Sequence, residues 1–277
     1  MSQTTKFAEK FVCEFNKRFA TMRITWTNEL AYKINFFLLI LGPTLVFFFV
    51  KYNLWTSIFT ITGSNTIQGY DLNAMLRYQA LVMIVALSAQ SYNSMNLSQD
   101  IRMGRISAYL IYPFQFWQFH TASFLAFQVI QLVITFLTLA VLFSCGILNG
   151  LEPSNIFLGL AYTSLVSLFW FAVSYAQGLV SFWLEESWAI RVIFNILAGF
   201  LSGSMFPLEI YPTWFVQLLK WTPFPYITYV PVKIMTGTYD GNMLFAAGNV
   251  LVWILIAYRL AMTLWRRGLR LHTAAGM

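Results

Sequence analysis

Six long apolar runs without a single Asp, Glu, Lys, Arg or His constrain the fold of this chain more than any other feature. An α-helix rises about 1.5 Å per residue, and the hydrocarbon core of a bilayer is about 30 Å thick. We therefore expect an all-α integral membrane protein with six transmembrane helices. The runs are Ile34–Val50, Tyr78–Met95, Thr121–Leu148, Ile156–Trp183, Val192–Phe206 and Asn242–Tyr258.

The composition agrees with a membrane protein and leaves no room for a large soluble domain. Only 10% of the 277 residues are charged, whereas soluble domains average about 25%. We divide the chain into a polar, amphipathic segment, residues 1–33, and a transmembrane domain, residues 34–277. The first segment lacks the apolar core of a cleavable signal peptide, so we expect it to stay on the mature protein.

The basic residues are distributed unevenly between the two sides of the six runs. Of the 17 Lys and Arg residues, all but Lys51, Arg77, Lys220 and Lys233 lie on one side. Because positively charged loops stay cytoplasmic, we expect both termini and the loops around residues 99–120 and 185–191 to be cytoplasmic. Topology and anionic membrane lipid account for the net charge of +7 without nucleic-acid binding.

The segment before the first run carries an apolar stripe at helical spacing, with basic residues between its members. A helix of this kind lies in the plane of the membrane interface. It is either a plain anchor or also a shoulder for a cytoplasmic partner. The stripe consists of Phe7, Phe11, Phe15, Phe19, Met22 and Trp26.

Two inner loops are candidate contacts for a cytoplasmic protein. In the first, basic and apolar residues alternate at helical spacing up to Pro113, which favours a docking element over a solvated linker. The arginines can pair with acidic groups of a partner or with lipid headgroups, while Ile106 and Tyr109 can fill an apolar groove. The first loop comprises Ile101, Arg102, Gly104, Arg105, Ile106, Tyr109 and Pro113. The second loop, with Glu185, Glu186 and Trp188, is either another contact or a turn.

The outer segment between the last two runs is apolar but repeatedly interrupted. Its pieces Trp214–Trp221 and Tyr226–Met235 are too short to span a bilayer. Broken backbone at membrane depth requires cover by protein or a water-filled cavity, so residues 207–237 are predicted to be re-entrant or interfacial half-helices beside a pathway. The interrupting residues are Gly203, Pro207, Pro212, Trp214, Pro223, Pro225 and Pro231.

The sequence contains no pattern typical of a catalytic, nucleotide-binding or metal site. The sequence contains no Gly-Lys dipeptide and hence no phosphate-binding loop. Two His and two scattered Cys do not have metal-ligand spacing. We expect no catalytic residue, metal or cofactor on this chain. Six uncharged polar residues remain as candidates to line a pathway, and these are Gln90, Asn93, Gln128, Gln131, Gln177 and Asn195.

The order of Pro, Gly and Trp in the last third resembles the type-two ABC exporter permeases. The stretches that carry this resemblance are Leu201-Ser-Gly-Ser-Met-Phe-Pro-Leu-Glu-Ile-Tyr-Pro-Thr-Trp, Trp221-Thr-Pro-Phe-Pro-Tyr and Tyr229-Val-Pro-Val-Lys-Ile-Met-Thr-Gly. The inner stretch from Ile101 to Pro113 is similar to the Gly-centred first cytoplasmic loop of that family. With six runs and a basic interfacial helix, the resemblance covers nearly the whole chain.

The resemblance implies a multi-pass permease of a bacterial inner cell membrane. It implies that the chain pairs with a second permease, the same or related, and docks separate cytoplasmic ATPase subunits that bind ATP and magnesium. Residues Ile101 to Pro113 would couple the permease to its ATPase, and residues 185–191 would form the second contact with the ATPase.

Other functions stay open at this point. An ATP-independent membrane scaffold or channel subunit is the main alternative, and an ion-coupled carrier is disfavoured by the absence of charge in the six runs. Aromatic-rich spans suit an amphiphilic substrate, but aromatic residues also serve packing and interface anchoring.

Overall fold

The computed structural model describes residues 16–28, 31, 33–91, 93–111, 116–184 and 187–271, and this part of the chain is helical without a strand. Residues 16–28 form α1. The other helices are α2 (Lys33–Thr62), α3 (Leu72–Ala89), α4 (Asn93–Arg102), α5 (Ile106–Ile111), α6 (Phe116–Ser144), α7 (Pro153–Leu179), α8 (Trp188–Leu201), α9 (Thr213–Leu219), α10 (Phe224–Ile227), α11 (Tyr229–Met235) and α12 (Met243–Leu271).

Among the described residues, five helices are long and apolar enough to cross a membrane, which confirms an all-helical membrane fold but not the number of spans. Their apolar segments are Leu45–Thr62, Leu72–Ala89, Phe116–Ser144, Pro153–Phe182 and Met243–Leu271. The remaining expected span, Val192–Phe206, does not have the predicted bounds, because the helix there is Trp188–Leu201. In its place α8 has 14 residues, so it is roughly 21 Å long and does not cross about 30 Å of hydrocarbon alone.

Several other predicted boundaries differ from the structure, and the last span, which was expected to end at Tyr258, continues in α12 to Leu271. The first span was expected to end at Val50, but α2 continues to Thr62. The Thr56, Thr60 and Thr62 hydroxyls donate to carbonyls four residues earlier, and the helix ends only where Gly63 adopts a φ of 62°. The second span was expected to reach Met95, but α3 ends at Ala89 and α4 begins after a break.

Helix α7 lies at the centre of the bundle and packs against α3, α4, α11 and α12. Two glycines allow this close packing. Gly159 faces Met235 of α11, and Gly178 faces Leu97 of α4. Neither site has space for a β-carbon without a shift of the neighbouring side chain.

The bundle has two distinct ends. At the basic end, α4, α5 and the start of α6 meet the end of α12, where Phe116 stacks on Trp265 at 4.5 Å between ring centroids. At the opposite end, the turn after α6 packs against α11, and the turn after α2 packs against Phe206 and Ile210. Helix α1 lies along α6, because Trp26 Nε1 donates to the Ala126 carbonyl at 2.7 Å. The predicted stripe residues Phe7, Phe11 and Phe15 lie outside the described residues.

Candidate functional site

A cavity of about 520 Å³ lies between α2, α3 and α8. Helix α3 forms its wall from Gln79 to Gln90, which corresponds to roughly 16 Å of helix. Helix α2 contributes Phe48 and Lys51, and α8 contributes Asn195. The volume falls within the range of small-molecule sites, about 300–1,000 Å³. The described lining residues include no Asp or Glu.

One end of this cavity is polar because of Lys51 and Gln79. Lys51 Nζ donates to the Ser204 carbonyl oxygen at 2.6 Å. Gln79 is 1% exposed and donates through Nε2 to the Met205 carbonyl at 3.4 Å. The carbonyl acceptors are available because α8 ends at Leu201 and the following backbone turns. This end therefore combines one ammonium group with one amide group.

The other end of the cavity lies where α3 is interrupted. The helix stops at Ala89, and Gln90 adopts an extended ψ of 140°. The freed carbonyls accept from side chains instead of from the helix backbone: Gln128 bonds the Ser88 carbonyl at 2.6 Å, and Gln131 bonds the Gln90 carbonyl at 2.8 Å. Ser174 completes the set by donating to Ser91 at 3.1 Å. Protein side chains thus satisfy the broken backbone, as membrane depth requires.

The six predicted pathway residues therefore separate into groups. Gln90 and Asn195 line the cavity. Gln128 and Gln131 are buried and hold the end of α3. The remaining two do not line the cavity as described, since Gln177 is buried in α7 and the Asn93 side chain lies outside the described residues.

The predicted outer segment folds back onto the opposite end of the bundle through a half-buried carboxylate, that of Glu209. Glu209 Oε1 pairs with Lys233 Nζ at 2.7 Å and accepts from the Tyr229 and Tyr70 hydroxyls at 2.8 and 3.0 Å. Burial by itself raises the pKa of Glu209, but the hydrogen bonds from Lys233, its own backbone and Tyr229 outweigh burial and hold it below the ordinary value. The carboxylate stays charged and ties residues 70, 209, 229 and 233 together.

Prolines and one glycine shape this outer segment. Pro207, Pro212 and Pro223 each directly precede a short helix, as expected for a residue that lacks a backbone donor and has a fixed φ. Pro225 and Pro231 lie inside α10 and α11 and are buried. Gly203, with a φ of 82°, contacts α3: its carbonyl accepts from Tyr78 at 2.7 Å. Trp214 on α9 is exposed.

At the basic end, the predicted docking loop is a helix, a turn and a second helix. Gly104 has a φ of 68° and allows the turn between α4 and α5. Arg105 Nε pairs with Asp100 at 2.9 Å, and Tyr109 donates to the same carboxylate at 3.3 Å. Burial raises the pKa of Asp100, although Arg105 and Tyr109 oppose the shift. Arg105 thus has a partner within the chain, whereas Arg102 is exposed.

The side chains of Ile101 and Ile106 in this loop are buried and not exposed to a partner as predicted. Ile106 was expected to fill a groove on a partner, but its side chain is fully buried in the chain's own core together with Ile101. The exposed apolar side chain at the turn is Met103, which is 66% exposed. Pro113, Glu185 and Glu186 lie outside the described residues.

The two predicted inner contacts are joined by serine side chains. Ser98 of α4 lies 2.6 Å from Ser181 and accepts from Ser187 at 3.1 Å. Ser187 directly precedes α8, whose first residue, Trp188, is exposed. The residue that precedes α8 is therefore hydrogen-bonded to α4.

Sequence reasoning missed Lys51, Gln79 and Glu209 as site residues. Lys51 was placed on the outer side, because the first uncharged run ends at Val50. The available signal was the absence of Gly or Pro between Lys51 and Gly63, which permits the helix to continue. Glu209 had no signal in the sequence, since its partners Tyr70 and Lys233 are distant along the chain.

These features define a multi-span membrane protein with a cavity beside an interrupted span. The chain belongs to the ABC-2 family of transporter proteins, because the family model described as "ABC-2 family transporter protein" matches residues 31–276. This match confirms the resemblance seen in the sequence and identifies the chain as the membrane component of a transporter. No curated protein matches the chain in the comparison.

Proposed function

We propose that this chain is the permease subunit of an ATP-driven exporter. It forms the translocation pathway with a second permease, either a copy of itself or a related chain. Separate cytoplasmic ATPase subunits dock at the basic end and bind ATP and magnesium. The cavity along α3 is the part of the pathway that this chain supplies.

One observation carries the proposal: a single stretch of chain connects the cavity with the exposed basic end. Residues 79–90 line the cavity, and α4 follows directly and ends at Arg102 and Met103. The side chains of Gln128, Gln131 and Ser174 hold the junction between α3 and α4. A force applied at the turn therefore acts on the interrupted end of the cavity wall.

The serine contacts support the same mechanism. Because Ser98 and Ser187 are bonded, movement of α4 also acts on α8, which forms the facing wall of the cavity. Docking at one exposed turn would thus change the distance between two cavity walls. Cytoplasmic location of the basic end follows from the positive-inside rule.

The test is a pull-down of the tagged chain from native membranes in mild detergent, with mass spectrometry and ATP hydrolysis on the eluate. We expect a stoichiometric ATPase with vanadate-sensitive turnover. Arg102→Glu should reduce the amount of ATPase recovered, because it reverses an exposed charge at the turn. Lys220→Glu reverses an exposed charge at the opposite end and serves as the control.

A chain recovered without any nucleotide-binding partner would contradict the proposal and favour an ATP-independent scaffold or channel subunit. Equal ATPase recovery with wild type, Arg102→Glu and Lys220→Glu would contradict docking at the turn. A second permease in the eluate would distinguish a heterodimer from a homodimer.

A further inference from the structure

Lys51 places a positive charge in a spanning helix beside an apolar cavity. Its Nζ bonds the Ser204 carbonyl, and neither of the two ion pairs found among the described residues includes it. A carbonyl satisfies one donor of an ammonium group that has three. A charged group at membrane depth is costly and marks a functional site unless it is paired. The Lys51 ammonium group therefore has no anionic partner among the described residues at this end of the cavity.

Gln79, at the same end of the cavity, has a side-chain acceptor that also lacks a partner. Its Nε2 donates to Met205, which fixes the orientation of the amide. Its Oε1 is buried and has no hydrogen-bond partner among the described residues. A buried acceptor without a donor is destabilising. A ligand that brings a hydroxyl or an amide N–H to this position would remove that destabilisation.

Most of the rest of the cavity is apolar, although Gln90 and Asn195 also line it. Between the Lys51 end and the Gln90 end, the wall of α3 consists of Val82, Met83, Val85, Ala86 and Ala89. Aromatic and aliphatic side chains from α2 and α8 face this wall, among them Phe48 and Ile196. An elongated apolar space with a polar group at one end matches a ligand with a head and a hydrocarbon chain.

We propose that the cavity binds an amphiphile whose anionic head group also carries a hydroxyl or amide N–H. The anion pairs with Lys51, the donor bonds Gln79 Oε1, and the chain extends along α3 toward Gln90. Two sources share this chemistry, a resident membrane lipid and an exported cargo. Only the cargo assignment rests on the proposed exporter function.

The experiment uses the full chain in nanodiscs without an ATPase, so that its result is independent of transport. The probe is a lysophosphatidylglycerol with a photoactivatable group on its chain, which supplies a phosphate anion and glycerol hydroxyls. The matched probe is a lysophosphatidylcholine with the same chain. Its choline cation neutralises the phosphate charge, and its head group lacks the two glycerol hydroxyls. Labelled peptides are identified by mass spectrometry.

We expect the phosphatidylglycerol probe to label α2, α3 and α8, and the choline probe to label them several-fold less. Lys51→Met should reduce labelling by the first probe about tenfold, as expected for loss of a charged hydrogen bond, and Lys51→Arg should restore it. Gln79→Met should reduce it without affecting the choline probe. Lys220→Met, at the opposite surface, is the control and should label like wild type.

Equal labelling by the two probes on the wild-type chain would overturn the proposal, and this comparison does not depend on any variant folding. Unchanged labelling in folded Lys51→Met would also overturn it. If the label is competed by phosphatidylglycerol in the nanodisc, the ligand is a membrane lipid. In a second preparation that contains the partner ATPase, the ligand is cargo if ATP turnover before irradiation lowers the labelling, and either source supports the binding site.

Discussion

Replacing Gly178 with Ala tests how closely α4 packs on α7. A β-carbon on Gly178 would lie 2.7 Å from Cδ2 of Leu97, 2.9 Å from its Cγ and 3.0 Å from its Cβ. Because even the Cβ of Leu97 is this close, a rotation of the side chain does not relieve the clash. Helix α4 has to move away from α7.

The size of the effect follows from two opposing contributions. Overpacking of a filled core costs about 1–3 kcal/mol, while Ala is favoured over Gly in a helix interior by up to about 1 kcal/mol. The expected net loss is about 1–2 kcal/mol, which for a chain of this size lowers Tm by roughly 2–8 °C. The assay is the loss of the monodisperse peak after heating in detergent.

Gly248→Ala is the matched control, because no atom lies within 4 Å of the added β-carbon. This variant should melt at or slightly above the wild-type temperature. In Gly178→Ala combined with Leu97→Ala, the two closest atoms are removed, so the two substitutions should be less than additive. If Gly178→Ala melts like Gly248→Ala, then α4 is not packed on α7 as closely as described.

Three further predictions concern single contacts. The pKa of Glu209 is held below the ordinary Glu value of about 4.3. The ionised carboxylate therefore stabilises the fold above about pH 4.3, and this stabilisation is lost as the pH falls through the lowered pKa of the folded state. Glu209→Gln should have a lower Tm than wild type at pH 7, and its Tm should fall less on acidification. Gln128→Leu leaves the Ser88 carbonyl without its donor, which should cost about 1–3 kcal/mol, and an unchanged Tm would contradict this role. Trp26→Phe removes the bond to Ala126, so trypsin should cleave α1 faster than in wild type, whereas equal cleavage would show that the bond does not hold α1 on α6.

The apolar runs predicted most of the helices, because apolar length is a local property of the sequence. The end of α3 was not predictable in this way. Its carbonyls after Ala89 are satisfied by Gln128, Gln131 and Ser174, which are distant along the chain, and no local pattern near Gln90 indicates them. The break is therefore visible only after the helices are packed together.

The candidate site shows the same limit. Arg102 and Arg105 look equivalent in the sequence, yet Arg105 pairs with Asp100 because the turn at Gly104 brings the two together. Ile106 looks available for a partner, yet it lies in the core. Residue type and spacing predicted which segment lies at the basic end, while side-chain direction depended on the turn.

The bond between Lys51 and Ser204 has a consequence for how the chain is made. The two residues are separated by 153 positions, so at about 5–20 residues per second the ribosome completes the acceptor roughly 8–30 s after the lysine. Throughout that interval the ammonium group on α2 lacks the Ser204 carbonyl, which follows α8. The nascent helix must hold Lys51 at the aqueous boundary by extending its side chain, and it reaches its final depth only after α8 has entered the membrane. Assembly of this cavity is therefore a late event in biogenesis, and α8 is the segment whose arrival completes it.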